Sequence, residues 1–259
     1  MFGLPDYALR KAVKNPRKAL NFLKKKRYNI YKKPYLTART VNQFYHRRFR
    51  QAGDLDVMNE DWDTLLITDA CRYDYFEQES ELPGTLESRY SPASMSYGFM
   101  QKSFIGQQFH DTVYVTANPF AVELPDNTFH NVISLVDEYY ENQAGTVPPE
   151  TVRKKTLEAH SDYPDKRIIA HFMQPHEPFL SSFGQEISKN LRWAGNQYHL
   201  SKDQSIDDLQ QAYRENVDLV LTEIGELIQE IDGKIVISAD HGEMLGERLY
   251  PIPIRGFEH

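Results

Sequence analysis

Near the end of the chain an apolar run, Val236-Ile237-Ser238-Ala239, breaks into Asp240-His241-Gly242-Glu243. A strand that stops at an acid and an imidazole delivers both side chains to its carboxyl edge, and the glycine lets the backbone turn tightly behind them. A matching run lies far upstream, where Asp63-Thr64-Leu65-Leu66-Ile67-Thr68-Asp69-Ala70 passes from a polar start through an apolar middle to a carboxylate. In an open α/β sheet ligands gather outside the carboxyl ends of the strands, so Asp69 and the Asp240-His241 pair are expected to meet although most of the chain separates them. This expectation constrains the fold more than any other feature, because both ends must lie on one edge of one sheet. Taken singly, each is also a polar turn closing a strand, and Asp69 also suits the N-cap of a helix opening at Cys71-Arg72-Tyr73-Asp74-Tyr75-Phe76.

The order of elements agrees. Strands are expected over 63–69, 112–117, 167–173 and 234–239, with helices near 72–79, after the serine-rich turn at 91–96, near 150–160 and over 206–231. Alternation of this kind makes an α/β fold, a mostly parallel sheet with helices on both faces. The helix from Ile206 to Ile231 is the strongest of these, with Leu209, Tyr213, Val217, Val220, Ile224, Leu227 and Ile231 at helical spacing and Gly233 as its stop. Residues 177–204 show little periodicity and are expected to form an irregular excursion near the site.

Several groups at the other strand ends carry chemistry. Ser91-Pro92-Ala93-Ser94-Met95-Ser96 leads into a helical segment that stops at Gly106. A serine at a helix N-terminus is either an ordinary cap or a nucleophile, since the helix dipole and a nearby cation both favour the alkoxide. The run Ile168-Ile169-Ala170-His171-Phe172-Met173-Gln174-Pro175-His176-Glu177-Pro178-Phe179 holds His176 between prolines, where a fixed imidazole can contact a substrate oxyanion or a second ion. His171, inside the strand, is expected to be packed. His259 closes the chain and is available as a further ligand. Carboxylate and imidazole together suit Zn²⁺ or Mn²⁺.

The order of these motifs resembles the alkaline phosphatase superfamily, in its sulfatase-like branch. The resemblance runs from about Trp62 to His259 and rests on Asp69 after the first strand, a hydroxyl nucleophile some 25 to 40 residues later, His176 in a His-x-Pro-Phe element, and Asp240-His241-Gly242-Glu243 followed by a late His. It implies that Asp69, Asp240 and His241 bind metal, that His176 binds substrate, and that His259 serves as a late ligand or substrate contact, as in phosphoethanolamine transferases. In the family the nucleophile stands ten residues before a glycine, and counting back from Gly106 reaches Ser96; Ser94 is the second choice and Ser91 the third. The Pro-Ser-Arg run of formylglycine sulfatases is missing, because Tyr97, Gly98, Phe99 and Met100 follow Ser96. A serine rather than a modified residue is therefore expected. Asp69 is followed by Ala70 rather than by a second acid, which turns the metal expectation from Ca²⁺ toward Zn²⁺ or Mn²⁺, with one or two ions. Relatives continue past the late His, so either the chain is shortened at its C-terminus or the family's ending is dispensed with.

Composition sets the surroundings. A length of 259 residues and 40% hydrophobic content are enough for one large α/β core. Cys71 is the single cysteine, which excludes an intramolecular disulfide; it is expected to face the core. Residues 1–50 carry 15 Lys or Arg against one acid, Asp6, whereas the whole chain has a net charge of −7. Two regions follow: a basic helical extension over 1–52, with short amphipathic helices at Leu9–Lys14 and Ala19–Arg27, and a catalytic domain over 53–259. The extension either lies on an anionic membrane surface or packs on the acidic remainder. No nucleic-acid-binding motif accompanies the charge, which argues against that partner. No apolar stretch approaches the roughly 20 residues of a membrane span, and no secretory signal is evident, so a cytoplasmic location, or a peripheral one at the membrane, is expected.

Three functions are open at this stage. The first is a metal-dependent hydrolase of phosphate or sulfate esters that works through a seryl intermediate on a small-molecule, glycan or lipid ester. The second is a transferase that passes the phospho group to a glycan or lipid. The third is a non-catalytic member whose basic segment binds a polyanion or a membrane surface.

Overall fold

The computed structural model describes residues 34–49, 53, 55–136, 145–193, 198–201 and 203–256, in two compact units. The first comprises helix α1 (Pro34–Phe49) and residues 248–256. Here the Asn42 amide acts as a surrogate strand, donating to the Ile252 carbonyl at 2.7 Å and accepting from the Ile252 N–H at 2.8 Å, while Tyr45 meets Tyr250 edge-on. The helices expected at Leu9–Lys14 and Ala19–Arg27 lie outside the described residues.

In the second unit the elements run β1 (Thr64–Asp69), α2 (Tyr73–Glu79), α3 (Ser96–Ser103), β2 (Phe109–Thr116), β3 (Phe129–Ser134), α4 (Pro149–Asp162), β4 (Arg167–Pro175), α5 (Ser182–Asn190), β5 (Arg192–Trp193), β6 (Tyr198–His199), α6 (Ile206–Glu230) and β7 (Ile235–Ala239). Five strands make one all-parallel sheet in the order β3-β2-β4-β1-β7, and β5 and β6 form a separate short antiparallel pair. This is the α/β architecture read from the alternation of the sequence. Among the described residues no helix is long and apolar enough to cross a membrane.

The period-two alternation of each strand sends successive side chains to opposite faces. Leu66 of β1, Val113 and Val115 of β2, and Ile168, Ala170 and Phe172 of β4 pack beneath α4 and α6, whose Val152, Ala159, Val220, Ile224 and Leu227 complete that layer. Leu65, Ile67, Tyr114 and Ile169 point the other way, onto Phe99 and Met100 of α3 and Phe104 beyond it. Full burial of each such side chain is worth about 2 kcal/mol, so both faces are held firmly and the strand register cannot slip by one residue. α6 begins at a capping box in which the Ser205 hydroxyl accepts from the Asp208 N–H and the Asp208 carboxylate from the Ser205 N–H.

Two local expectations are corrected. Residues 177–204 are not wholly irregular: α5 starts at Ser181, whose hydroxyl accepts from the Gly184 N–H at 2.8 Å, and Ile187 docks it on Leu209 and Tyr213 of α6. β3 was not anticipated, because it is an edge strand with His130 and Asn131 among its residues and mostly part-exposed side chains, so its apolar alternation is diluted.

Register explains the placement of the site. Thr68 lies beside Ala239 on one side, Ile67 beside His171 on the other, and Thr116 of β2 also pairs with His171. The carboxyl ends of β2, β1 and β7 therefore present Asn118, Asp69 and Asp240 along one edge, and His171 joins them from the middle of β4.

Candidate metal centre

Asp69, the last residue of β1, is 1% exposed and does not cap α2, whose N-cap is Arg72. Its two carboxylate oxygens differ. Oδ2 accepts from the Ser96 hydroxyl at 2.9 Å and from the Asn118 amide at 2.9 Å, whereas Oδ1 has no hydrogen-bond donor among the described residues. Asp240, fully buried just past β7, repeats the pattern: Oδ1 accepts from the N–H groups of Ala70 at 2.9 Å and His241 at 2.7 Å, and Oδ2 has no donor. The third atom of this kind is Nε2 of His171, also fully buried and 3.8 Å from Asp240 Oδ2. Suitable ligand atoms of Asp69, His171 and Asp240 all lie within 4.8 Å of one another. An unsatisfied buried polar group costs about 1–3 kcal/mol, and more if charged, so three converging on one point need an explanation. A metal ion satisfies all three, and this cluster can hold one.

His241 completes the surroundings. Its Nδ1 faces the Gly242 carbonyl at 3.0 Å, and its Nε2 lies 3.4 Å from Asp69 Oδ1, 3.5 Å from Asp240 Oδ2 and 3.3 Å from Ser96 Oγ. A ring nitrogen tied to a carbonyl while the other looks into a carboxylate cluster is the usual arrangement of a ligating histidine. Ser96 is the first residue of α3. The cap position before it is Met95, which offers no side-chain cap, so the Ser96 hydroxyl is turned away from capping and into the cluster.

The backbone behind Asp69 is strained. Ala70 sits at φ 62°, a left-handed conformation seldom adopted by residues other than glycine, and this turn aims its N–H at Asp240. The buried Tyr213 hydroxyl of α6 holds the turn, donating to the Ala70 carbonyl at 2.7 Å and accepting from the Arg72 N–H at 3.0 Å. The Ser91 hydroxyl donates to the Asp240 carbonyl and so props the main chain, while Ser94 is exposed. His176 is part-buried, follows β4 and donates its N–H to the Asp69 carbonyl at 3.2 Å; Asn216 of α6 reaches the carbonyls on either side of it. His259 lies outside the described residues.

Electrostatics mark the cluster as cation-seeking. Burial works against ionisation of Asp69, but the His241 ring, 3.4 Å from Oδ1, and the surrounding imidazoles hold it well below the usual carboxylate range. Asp240 is pushed up by burial and by the charge of Asp69. Burial disfavours a charged His241, yet Asp240 and Asp69 outweigh it and raise its pKa to about 10. His171 is lowered by burial, which keeps it neutral, and His176 is raised because the charges of Glu243 and Asp69 overcome burial. Burial raises the Cys71 thiol to about 12, leaving it inert.

A pH dependence follows from His241. Its folded pKa is raised above the ordinary 6.5, so the stability it contributes to the metal-free protein is fully present below about pH 6.5 and lost as pH climbs through about 10. Urea unfolding of metal-free protein should show falling stability across that window. Zn²⁺ affinity should rise over the same range, because metal and proton compete for Nε2. A flat stability between pH 6.5 and 10 would contradict the assignment.

Of the residues singled out in the sequence, the structure brings together Asp69, Asp240, His241 and Ser96, with His176 nearby. Three participants escaped that reading. Asn118 carried the same signal as Asp69, a polar residue just past an apolar strand, and went unused. His171 was expected to be packed; it is, but with its free nitrogen turned into the cluster. Ala70 gives no sign in sequence of its unusual backbone. Compared with known proteins, the chain matches no family model and no curated protein, so the chemistry of the centre rests on its own atoms.

Proposed function

We propose that this protein is a metal-dependent hydrolase of phosphate or sulfate esters, with Ser96 as the nucleophile. The observation that carries the reading is the Ser96 hydroxyl, 2.9 Å from Asp69 Oδ2 and 3.3 Å from His241 Nε2, beside three donorless ligand atoms. A lone buried serine bonded to a carboxylate is ordinary. One that adjoins two carboxylate oxygens and an imidazole nitrogen able to hold a metal ion suits nucleophilic attack on an anionic ester.

Zn²⁺ or Mn²⁺ fits the donors better than Ca²⁺, which takes six to eight oxygens. When bound, such a cation supplies the charge that lowers the serine pKa and neutralises the tetrahedral anion. The chain's own groups do the rest. Asp69 Oδ2 accepts the hydrogen bond of the Ser96 hydroxyl and so turns the Oγ lone pairs outward. Asn118 holds the same oxygen, fixing the carboxylate plane. Against the effect of burial, the charges of Glu243 and Asp69 raise the pKa of His176 and bias it toward the charged form that attracts a substrate anion. Ser96 Oγ forms a bond to phosphorus or sulfur as the bond to the alcohol oxygen breaks, and the serine proton departs with the alcohol; water then cleaves the seryl ester, releasing phosphate or sulfate and returning a proton to Ser96.

The test combines metal content with a panel of aryl phosphates, phosphodiesters and aryl sulfates. Chelation should lower turnover of the accepted ester at least about 100-fold, and Zn²⁺ or Mn²⁺ should restore it better than Ca²⁺. Protein that binds metal but turns over no member of the panel would sink the reading.

A further inference from the structure

Behind the candidate centre lie buried hydrogen bonds that include a residue with no role in the proposed reaction, Tyr114. Tyr114 of β2 is fully buried, its ring packed against Phe104 and Phe129. Its hydroxyl lies 2.7 Å from Nδ1 of His171. Thr116, two residues on, pairs with His171 in the strand register, and its Oγ1 accepts from the Asn118 N–H at 3.0 Å. Asn118 in turn donates to Asp69 Oδ2. Tyr114, Thr116 and Asn118 are all buried.

A neutral imidazole has one N–H, and the partner of one ring nitrogen decides what the other can do. Nδ1 of His171 is engaged by Tyr114, and Nε2 is left pointing at Asp240 Oδ2 with no hydrogen-bond partner. We propose that Tyr114 is a positioning residue for the metal centre: its hydroxyl oxygen accepts a hydrogen bond from the Nδ1–H of His171 and so fixes the Nε2 lone pair as a metal ligand beside Asp69 Oδ1 and Asp240 Oδ2. This rests on the metal centre proposed above and adds the group that sets its third ligand. Outer partners of this kind orient the ring and raise its basicity, and losing one lowers metal affinity by about 10- to 100-fold. The aromatic cluster matters too, because a ring wedged against Phe104 and Phe129 cannot swing its hydroxyl away from His171.

The test is Co²⁺ titration of the full chain, prepared metal-free and followed by visible absorption, for wild type, Tyr114→Phe, His171→Gln and the double variant. Tyr114→Phe deletes one oxygen and keeps the ring. It should weaken Co²⁺ binding about 10- to 100-fold while the melting temperature of the metal-free protein stays within a few degrees of wild type. The double variant should bind no more weakly than His171→Gln alone, because Tyr114 acts through His171. Wild-type affinity in Tyr114→Phe, or a loss that adds in full to that of His171→Gln, overturns the proposal while leaving the metal centre intact. A wild-type protein that takes up no Co²⁺, Zn²⁺ or Mn²⁺ overturns both. Should Tyr114→Phe fail to fold, ¹⁵N-histidine NMR of Zn²⁺-loaded wild type decides: the proposal expects His171 protonated on Nδ1, and protonation on Nε2 overturns it.

Discussion

Replacing Ser96 with Ala should cut turnover of the accepted ester by about 10³-fold or more, with Zn²⁺ affinity within a few-fold of wild type. The two effects separate because the hydroxyl is not among the three donorless atoms that define the centre. Asp69 Oδ2 also keeps its second donor, Asn118, when Ser96 is lost. The stability cost should be about 1 kcal/mol, the net worth of one hydrogen bond. The neighbouring serines serve as internal controls. Ser94 is exposed, so its alanine variant should retain full activity; Ser91 holds the Asp240 main chain, so its variant should show a small loss carried by weaker metal binding. Steady-state kinetics of the three variants over a Zn²⁺ titration up to saturation check this. Full activity in Ser96→Ala together with a dead Ser94→Ala would move the nucleophile to the exposed turn.

Changing Asp240 to Asn should have effects of opposite sign on function and on the stability of the metal-free protein. Two buried carboxylates share this site, one held low and the other pushed up by the first. The asparagine Oδ1 can still accept from the Ala70 and His241 N–H groups, while its amide nitrogen can donate to Asp69 Oδ1, which has no donor now. The metal-free variant should therefore be at least as stable as wild type. Its metal affinity should fall at least about 100-fold, the upper end of what disturbing an outer-shell partner costs, because here a ligand charge is lost. Differential scanning measurements report both. Metal at 100 times its dissociation constant adds about 2.7 kcal/mol, which in a protein of this size is roughly 5–10 °C of melting temperature; the variant should lose that increment at the same metal concentration. A variant that is strongly destabilised without metal, or that keeps the wild-type increment, would show that Asp240 Oδ2 does not face a cation.

The backbone of the site was legible in the sequence because it depends on local patterning. Apolar runs ending in Asp69 and in Asp240-His241 mark strands and their carboxyl edges, and alternation with helices makes those strands parallel, which places both edges on the same side. The apolar stripe of α6 fixed that helix from Leu209 to Leu227. β3 and α5 were missed where half-exposed or short elements dilute the periodicity, and the roles of His171, Asn118 and Tyr114 were missed for another reason. A buried histidine in an apolar strand looks the same in sequence whether its second nitrogen meets a carbonyl or a pair of carboxylates.

The sequence by itself determined the chemical inventory of this protein and the edge of the sheet on which it lies, since strand period, strand polarity and residue identity are properties of contiguous segments. Only the tertiary structure decided which oxygen of each carboxylate is satisfied and which is left open, that Ser96 turns inward rather than capping α3, and that His171 joins Asp69 and Asp240. Those outcomes depend on hydrogen bonds between residues as far apart as Ala70 and Asp240, whose geometry is set by packing on both faces of the sheet and not by any local pattern.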